Sequence, residues 1–262
     1  MPRLYTLFSG SSGNCNYIGS EESGILIDAG RSARQITQAL AGYDLDIRNI
    51  KAVFVTHEHI DHVKGLKVLS SKYGMKVYAS KGTAEALYEK GYVNSGTEIE
   101  IVDRNGVELD DMRITAFDIS HDCAEGLGYV VETSDGRRTA FATDTGYVTD
   151  SMKMAVGGCD TVLIESNHDV QMLQNGAYPY LLKRRILSDV GHLSNDVCAD
   201  TVTELVKSGS TRFILAHLSR ENNMPILARQ TAVCALQQNN MKENIDFMLT
   251  VASESGNKPI IF

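Results

Sequence analysis

Val53-Phe54-Val55-Thr56-His57-Glu58-His59-Ile60-Asp61-His62 is the stretch from which the fold is read. Its apolar start predicts a buried strand over 52–56. Four metal-capable side chains follow within six positions: His57, His59, Asp61 and His62. Three of them are histidines in a chain that has only seven. Crowded imidazoles gain little from one another, whereas a divalent cation takes imidazole nitrogen and carboxylate oxygen together. Val63, Leu66, Leu69 and Tyr73 then recur at helical spacing. The cluster is therefore expected on a strand-to-helix loop, where layered α/β proteins carry their chemistry.

Outward from this point, strands are predicted at 4–8, 15–18, 24–28, 76–79, 98–102, 112–118, 127–133, 138–143, 161–165, 211–216 and 246–251. Helices are predicted at 32–41, capped by Ser32, and at 83–90, 195–207 and 225–238. Many strands with interspersed helices predict two packed sheets with helices outside. No linker is visible, which predicts one domain over residues 1–262. The 43% hydrophobic content is ample for a core, and the 22% charged content is that of an ordinary globular protein. No stretch approaches the roughly 20 apolar residues of a membrane span, and the N-terminus does not read as a secretory signal. Cys15, Cys123, Cys159, Cys198 and Cys234 are scattered without a CxxC pair, which predicts reduced thiols in a cytoplasmic protein. A net charge of −8 argues against a nonspecific nucleic-acid coat, so a nucleic-acid substrate needs local cations. Lys183-Arg184-Arg185 is the one dense basic run and the best candidate for steering a polyanion, with a solvated face as the alternative. The sequence carries no signal of oligomeric state.

The remaining histidines extend the metal reading. His121 follows the strand ending at 118, Asp144 the strand ending at 143, and His217 the strand ending at 216. Strand ends along one sheet edge converge, so these residues are expected to join the first cluster. The resulting set suits two divalent ions (zinc, manganese or iron) roughly 3.5–4 Å apart with a bridging hydroxide as nucleophile. His57, His59 and His121 are assigned to the first ion. Asp61, His62 and His217 go to the second, with Asp144 bridging. Asp61 is also expected to orient the nucleophile. The small-residue loop at 9–14 offers Ser11, Ser12 and Asn14 as an anion nest, with an ordinary hairpin turn as the alternative. Ser219 and Arg220, just past His217, read as a phosphate fork.

HxHxDH behind an apolar strand, then His, Asp and His at strand ends, resembles the metallo-β-lactamase superfamily. GSSGN (10–14), ILIDAG (25–30), HEHIDHVKG (57–65), ISHD (119–122), ATDTG (142–146), GHLSN (191–195) and AHLSREN (216–222) are most similar to its YycJ/WalJ group, with ribonucleases Z and J as related enzymes. The resemblance implies a four-layer αββα sandwich and a brace for the histidine loop in Asp28. LIESNH (163–168) and GHLS (191–194) resemble motifs of ribonuclease Z-type phosphodiesterases. That likeness implies that Glu165 orients His192 as the general acid, which suits a sugar alkoxide that leaves poorly without a proton. It further implies 5′-to-3′ exonuclease action on DNA. The chain is too short for ribonuclease J's inserted domain and shows no long arm like that of ribonuclease Z. Two other classes stand against this reading. One is a small-molecule metallohydrolase of the same fold, acting on a cyclic phosphodiester, thioester or lactone. The other is a non-catalytic metal-binding regulator. Glu165 with His192 favours phosphodiester chemistry, and His168 reads as a loop histidine.

Overall fold

Short apolar runs alternating with capped helical segments give strands and helices along the whole chain. The structure is a computed structural model and describes residues 3–103, 105–256 and 260–261. The strands of the N-terminal half are β1 (Arg3–Phe8), β2 (Cys15–Gly19), β3 (Gly24–Ile27), β4 (Ile50–Phe54), β5 (Lys76–Ala79), β6 (Ile99–Ile101), β7 (Val107–Leu109) and β8 (Met112–Asp118). Then come β9 (Leu127–Thr133), β10 (Arg138–Ala142), β11 (Thr161–Glu165), β12 (Arg212–Ala216), β13 (Met248–Val251) and β14 (Ile260–Ile261). The helices are α1 (Ala33–Ala41), α2 (Ile60–Val63), α3 (Leu66–Tyr73), α4 (Lys81–Glu89), α5 (Asp150–Val156), α6 (Val170–Asn175), α7 (Tyr180–Ile186), α8 (Asn195–Lys207) and α9 (Pro225–Gln238).

The chain divides into two compact units. The first holds the described residues up to Ala116, residues 123–127 and the described residues from Ser253 on. Its sheet has the order β14-β1-β2-β3-β4-β5-β6. β1, β2 and β3 are antiparallel, and β3 to β6 run parallel. Leu26, Val53, Val55 and Val77 on the sheet pack with Ile36 and Leu40 of α1 and Leu66 and Leu69 of α3. Ser32 caps α1 through a capping box with Gln35.

The second unit holds residues 117–122 and 128–252. β9 and β10 are antiparallel, while β10, β11, β12 and β13 are parallel neighbours. Val130, Ala140, Val162, Ile164, Phe213 and Leu215 form a core with Val202 of α8 and Ala228, Ala232 and Leu236 of α9. Ser194 caps α8, and Pro225 opens α9. Parallel strands share one carboxyl edge, and open α/β sheets place ligands outside that edge. The first unit so exposes the residues after β3 and β4, and the second those after β10, β11 and β12.

Two expectations are corrected. The helix foreseen behind the histidine cluster is two helices, α2 and α3, parted at Gly65. There the backbone N–H of Gly65 donates to the Ala29 carbonyl at 2.8 Å, and a Cβ would fall 2.4 Å from the Arg31 carbonyl. The cluster is also not all loop, because His59 is the N-cap of α2 and Asp61 and His62 lie in its single turn. Helices α5, α6 and α7 were not foreseen, since six or seven residues give too short a run to reveal a helical period.

None of the five cysteines is in a disulfide. Burial pushes the Cys198 thiol up to about 12 and the Cys159 thiol up to about 11, so both stay protonated and act as small apolar residues. No helix among the described residues is long and apolar enough to cross a membrane.

Candidate metal centre and general-acid site

In the first unit the site grows from the exits of β3 and β4. Asp28 leaves β3 in the left-handed backbone region (φ 65°), a conformation that costs energy and persists where function requires it. Its Oδ1 accepts the Thr56 backbone N–H at 2.8 Å, and its Oδ2 accepts the Thr56 hydroxyl at 3.0 Å. Oδ2 also accepts from His62 Nδ1 at 2.7 Å. Burial pushes the Asp28 carboxyl above its usual range, opposed by His62 and Thr56. The bond to Asp28 places the His62 proton on Nδ1, so Nε2 carries the lone pair that a metal needs. Asn14 confirms the assignment. Its Oδ1 accepts from the Gly10 N–H at 2.9 Å, which fixes the amide, and its Nδ2 then faces His62 Nε2 at 3.0 Å. The rings of His57 and His59 lie 4.6 Å apart, and those of His57 and His62 4.1 Å apart. Glu58 points elsewhere, to the Ala124 N–H and to Lys90.

The cluster is clamped from behind. The Asn14 N–H donates to the Asp61 carbonyl at 2.7 Å, and the Gly30 N–H to the Asn14 carbonyl at 2.8 Å. A Cβ on Gly30 would lie 1.7 Å from the Asp61 carbonyl oxygen and 2.5 Å from the Asn14 nitrogen. Only backbone atoms oppose it, so no rotamer relieves the clash. Gly30→Ala is expected to destabilise the fold by about 3 kcal/mol, the upper end for overpacking, and to weaken metal retention. Denaturant midpoints and metal content check this, and a fully stable, fully metallated variant would show the contact to be compliant.

In the second unit Glu165, at the end of β11, is fully buried and accepts four hydrogen bonds. Oε1 takes His192 Nδ1 at 2.7 Å and His217 Nδ1 at 2.8 Å. Oε2 takes the N–H groups of Thr145 at 3.1 Å and Leu193 at 3.2 Å. Burial acts to raise this carboxyl, but His192 and the bonds from both rings outweigh it and hold it at about 2. Asp144 and His217 leave their strands in the left-handed region, with φ of 57° and 55°. Asp144 Oδ1 lies 3.4 Å from His217 Nδ1, 3.8 Å from His192 Nδ1 and 3.9 Å from His121 Nε2. The Gly191 carbonyl, which only accepts, takes the His121 Nδ1 proton at 3.1 Å. Burial lowers the His121 ring below the usual imidazole range, so it stays neutral with its lone pair on Nε2. His62, His121 and His217 thus share one tautomer, set in each case by an acceptor on Nδ1. Rings held by an acceptor on Nδ1, beside buried carboxylates, fit divalent metal ions.

Within one unit the structure brings together His57, His59, Asp61 and His62, and within the other His121, Asp144, Glu165, His192 and His217. Of the foreseen phosphate handles, Asn14, Ser12 and Ser219 have partners within the protein. The Ser12 hydroxyl donates to Glu254 at 2.7 Å and accepts from Arg31. Ser11 and Arg220 are exposed. Ser219 is buried, its hydroxyl accepting from the Asn222 N–H at 3.2 Å. His168 lies in the loop between β11 and α6, as read from the sequence, and is buried there, which lowers its ring to about 4. The reach of Glu165 to His217 and the clamp by Asn14 escaped the sequence reading. The one signal for the first was that Glu165 and His217 both lie at strand ends.

Residues 24–218 match the beta-lactamase superfamily domain. The chain belongs to that superfamily. It is 40% identical over 234 residues to "Exodeoxyribonuclease YycJ" of Bacillus anthracis, covering 88% of each chain. It is 37% identical over 257 residues to "Exodeoxyribonuclease WalJ" of Streptococcus pneumoniae serotype 2, covering 97% of this chain and 95% of that one. The metallo-β-lactamase fold protein YhfI from Bacillus subtilis superposes with a TM-score of 0.73 at 16% identity, over 97% of this chain and 98% of the other. The fold implied by the motifs and the likeness to the YycJ/WalJ group therefore hold, and the chain is a hydrolase of the metallo-β-lactamase fold, a fold that implies divalent metal and whose His/Asp cluster here fits a metal site.

Proposed function

We propose that the chain is a dinuclear metal-dependent phosphodiesterase acting on nucleic acid, and that it is a cytoplasmic 5′-to-3′ DNA exonuclease. In this reading His57, His59 and His121 hold one ion, Asp61, His62 and His217 the other, and Asp144 bridges. Zinc, manganese or iron so held supplies water activation and charge neutralisation on the phosphate. Glu165 holds His192 by Nδ1 and turns Nε2 outward, where a proton passes to the leaving sugar oxygen. The observation that carries the proposal is the 2.7 Å bond between Glu165 and His192. Acyl substrates have little need of such a pair, because their leaving groups depart more easily. The names of the two bacterial relatives support DNA as the polymer.

The test is a gel assay on single- and double-stranded DNA and RNA, with and without 5′-phosphate, with each metal in turn. The expected result is stepwise shortening of DNA from the 5′ end, abolished by chelation. Hydrolysis of thioesters or nitrocefin with intact polynucleotides would replace the proposal with small-molecule chemistry. Two tightly held metals with no hydrolysis at all would support a regulator.

A further inference from the structure

The loop that carries His192 lies against two exposed aromatic segments of its own unit. On one side is α7. The His192 N–H donates to the Ile186 carbonyl at 3.0 Å, and a Cβ on Gly191 would fall 2.2 Å from that oxygen. On the other side is the turn after Asp144. There the Gly146 N–H donates to the Ser120 carbonyl at 2.8 Å, the Ser120 hydroxyl donates to the Asp189 carbonyl at 2.7 Å, and a Cβ on Gly146 would fall 2.2 Å from Asp189. Both segments present apolar surface to water. Tyr180 is 71% and Leu181 76% exposed on α7, and Tyr147 is 47% exposed on the turn. A helix gains nothing in stability from leaving such groups in solvent, and exposed apolar patches mark interaction surfaces.

The charges around α7 sort themselves. Lys183 Nζ is spent on the Gln174 and Gly176 carbonyls at 2.8 and 2.7 Å. Arg185 forms an ion pair with Asp122, which lies beside His121. Arg184 makes no hydrogen bond or ion pair among the described residues and stands over the Tyr180 ring, its Cζ 5.9 Å from the centroid. An aromatic face with an unspent guanidinium one helical turn away matches a base and its phosphate. A folded protein partner offers no comparable reason for the arginine.

Resting on the phosphodiesterase reading above, we propose that Tyr180 and Arg184, with Tyr147 across the His192 loop, form a stacking platform for unpaired bases of a single-stranded nucleic acid entering the site. A duplex hides its base faces in its own stack, so the platform selects frayed or single-stranded ends. Stacking tolerates every base, which suits an exonuclease without sequence preference.

The experiment compares kcat/KM for a 5′-phosphorylated oligothymidylate with that for an oligonucleotide of equal length built from abasic units. The platform predicts a strong preference for the first in the wild-type protein. Tyr180→Ala is expected to reduce that preference about tenfold, and Tyr180→Trp to retain it, which separates stacking from folding damage. Arg184→Ala is expected to lessen the salt dependence of KM by about one counterion without altering the preference. An unchanged preference in Tyr180→Ala, with wild-type nuclease activity on both substrates, overturns the platform and leaves the phosphodiesterase reading intact. A wild-type protein that cleaves neither oligonucleotide under any metal overturns that reading and the platform with it.

Discussion

His192→Ala is expected to lower hydrolysis of a DNA phosphodiester by about 10²- to 10⁴-fold with metal content unchanged. The reasoning starts from the leaving group. A sugar alkoxide is strongly basic, and its departure needs a proton at the moment the P–O bond breaks. His192 is the one ring held by Glu165 that the metal assignment leaves unused, and its Nδ1 is committed to Oε1 at 2.7 Å. Removing the ring takes one of four bonds from Glu165 and leaves those from His217, Thr145 and Leu193. The buried carboxylate therefore keeps most of its support, and His217 keeps its orientation. p-Nitrophenolate is weakly basic and departs without a proton, so on bis-p-nitrophenyl phosphate the same variant is expected to lose far less. Single-turnover rates on both substrates, with metal analysis of the same samples, make the comparison. Equal losses on the two would point to collapse of the site and remove the general-acid role.

What the sequence made legible follows chain distance and strand polarity. HEHIDH was readable because its donors lie within one loop and one helical turn, where local spacing dictates geometry. The strands behind Asp144, Glu165 and His217 were readable as apolar runs, and their parallel pairing sends all three exits to one edge. The partner of His217 was not readable. It depends on the register of β11 against β12, which sets Glu165 beside Ala216 and so brings the next residue to the carboxylate. Asn14 escaped for a similar reason. Its place beside Asp61 spans 47 residues and rests on a backbone bond that only the folded loop creates. The small-residue loop offered serines and an asparagine that suit an anion equally well, and composition alone does not tell a clamp from a cradle. Short helices such as α7 were missed because packing, through the buried Ile186, stabilises them more than their own periodicity does.

Asp28→Asn is expected to weaken metal binding by about 10- to 100-fold while leaving the fold in place. The substitution keeps the shape of the side chain but swaps one acceptor for a donor. Oδ1 must remain oxygen, because it accepts the Thr56 backbone N–H at 2.8 Å. The new amide nitrogen is then forced into the place of Oδ2, 2.7 Å from His62 Nδ1. Two donors cannot face each other, so His62 is driven to the other tautomer, with its proton on Nε2. That atom then has no lone pair to offer a cation. Asp28→Ala removes the acceptor as well, so the Thr56 N–H and His62 Nδ1 both lose their buried carboxylate, at a cost of about 3–5 kcal/mol to the fold. The two variants thus separate the roles of the carboxylate: Asn reports on tautomer control and Ala on structural support. Calorimetric titration of the metal-free protein with zinc and manganese, alongside denaturant midpoints, gives both quantities. Wild-type metal affinity in Asp28→Asn would mean that the ring does not depend on this carboxylate for its tautomer, and the account of His62 as a ligand prepared from behind would fall.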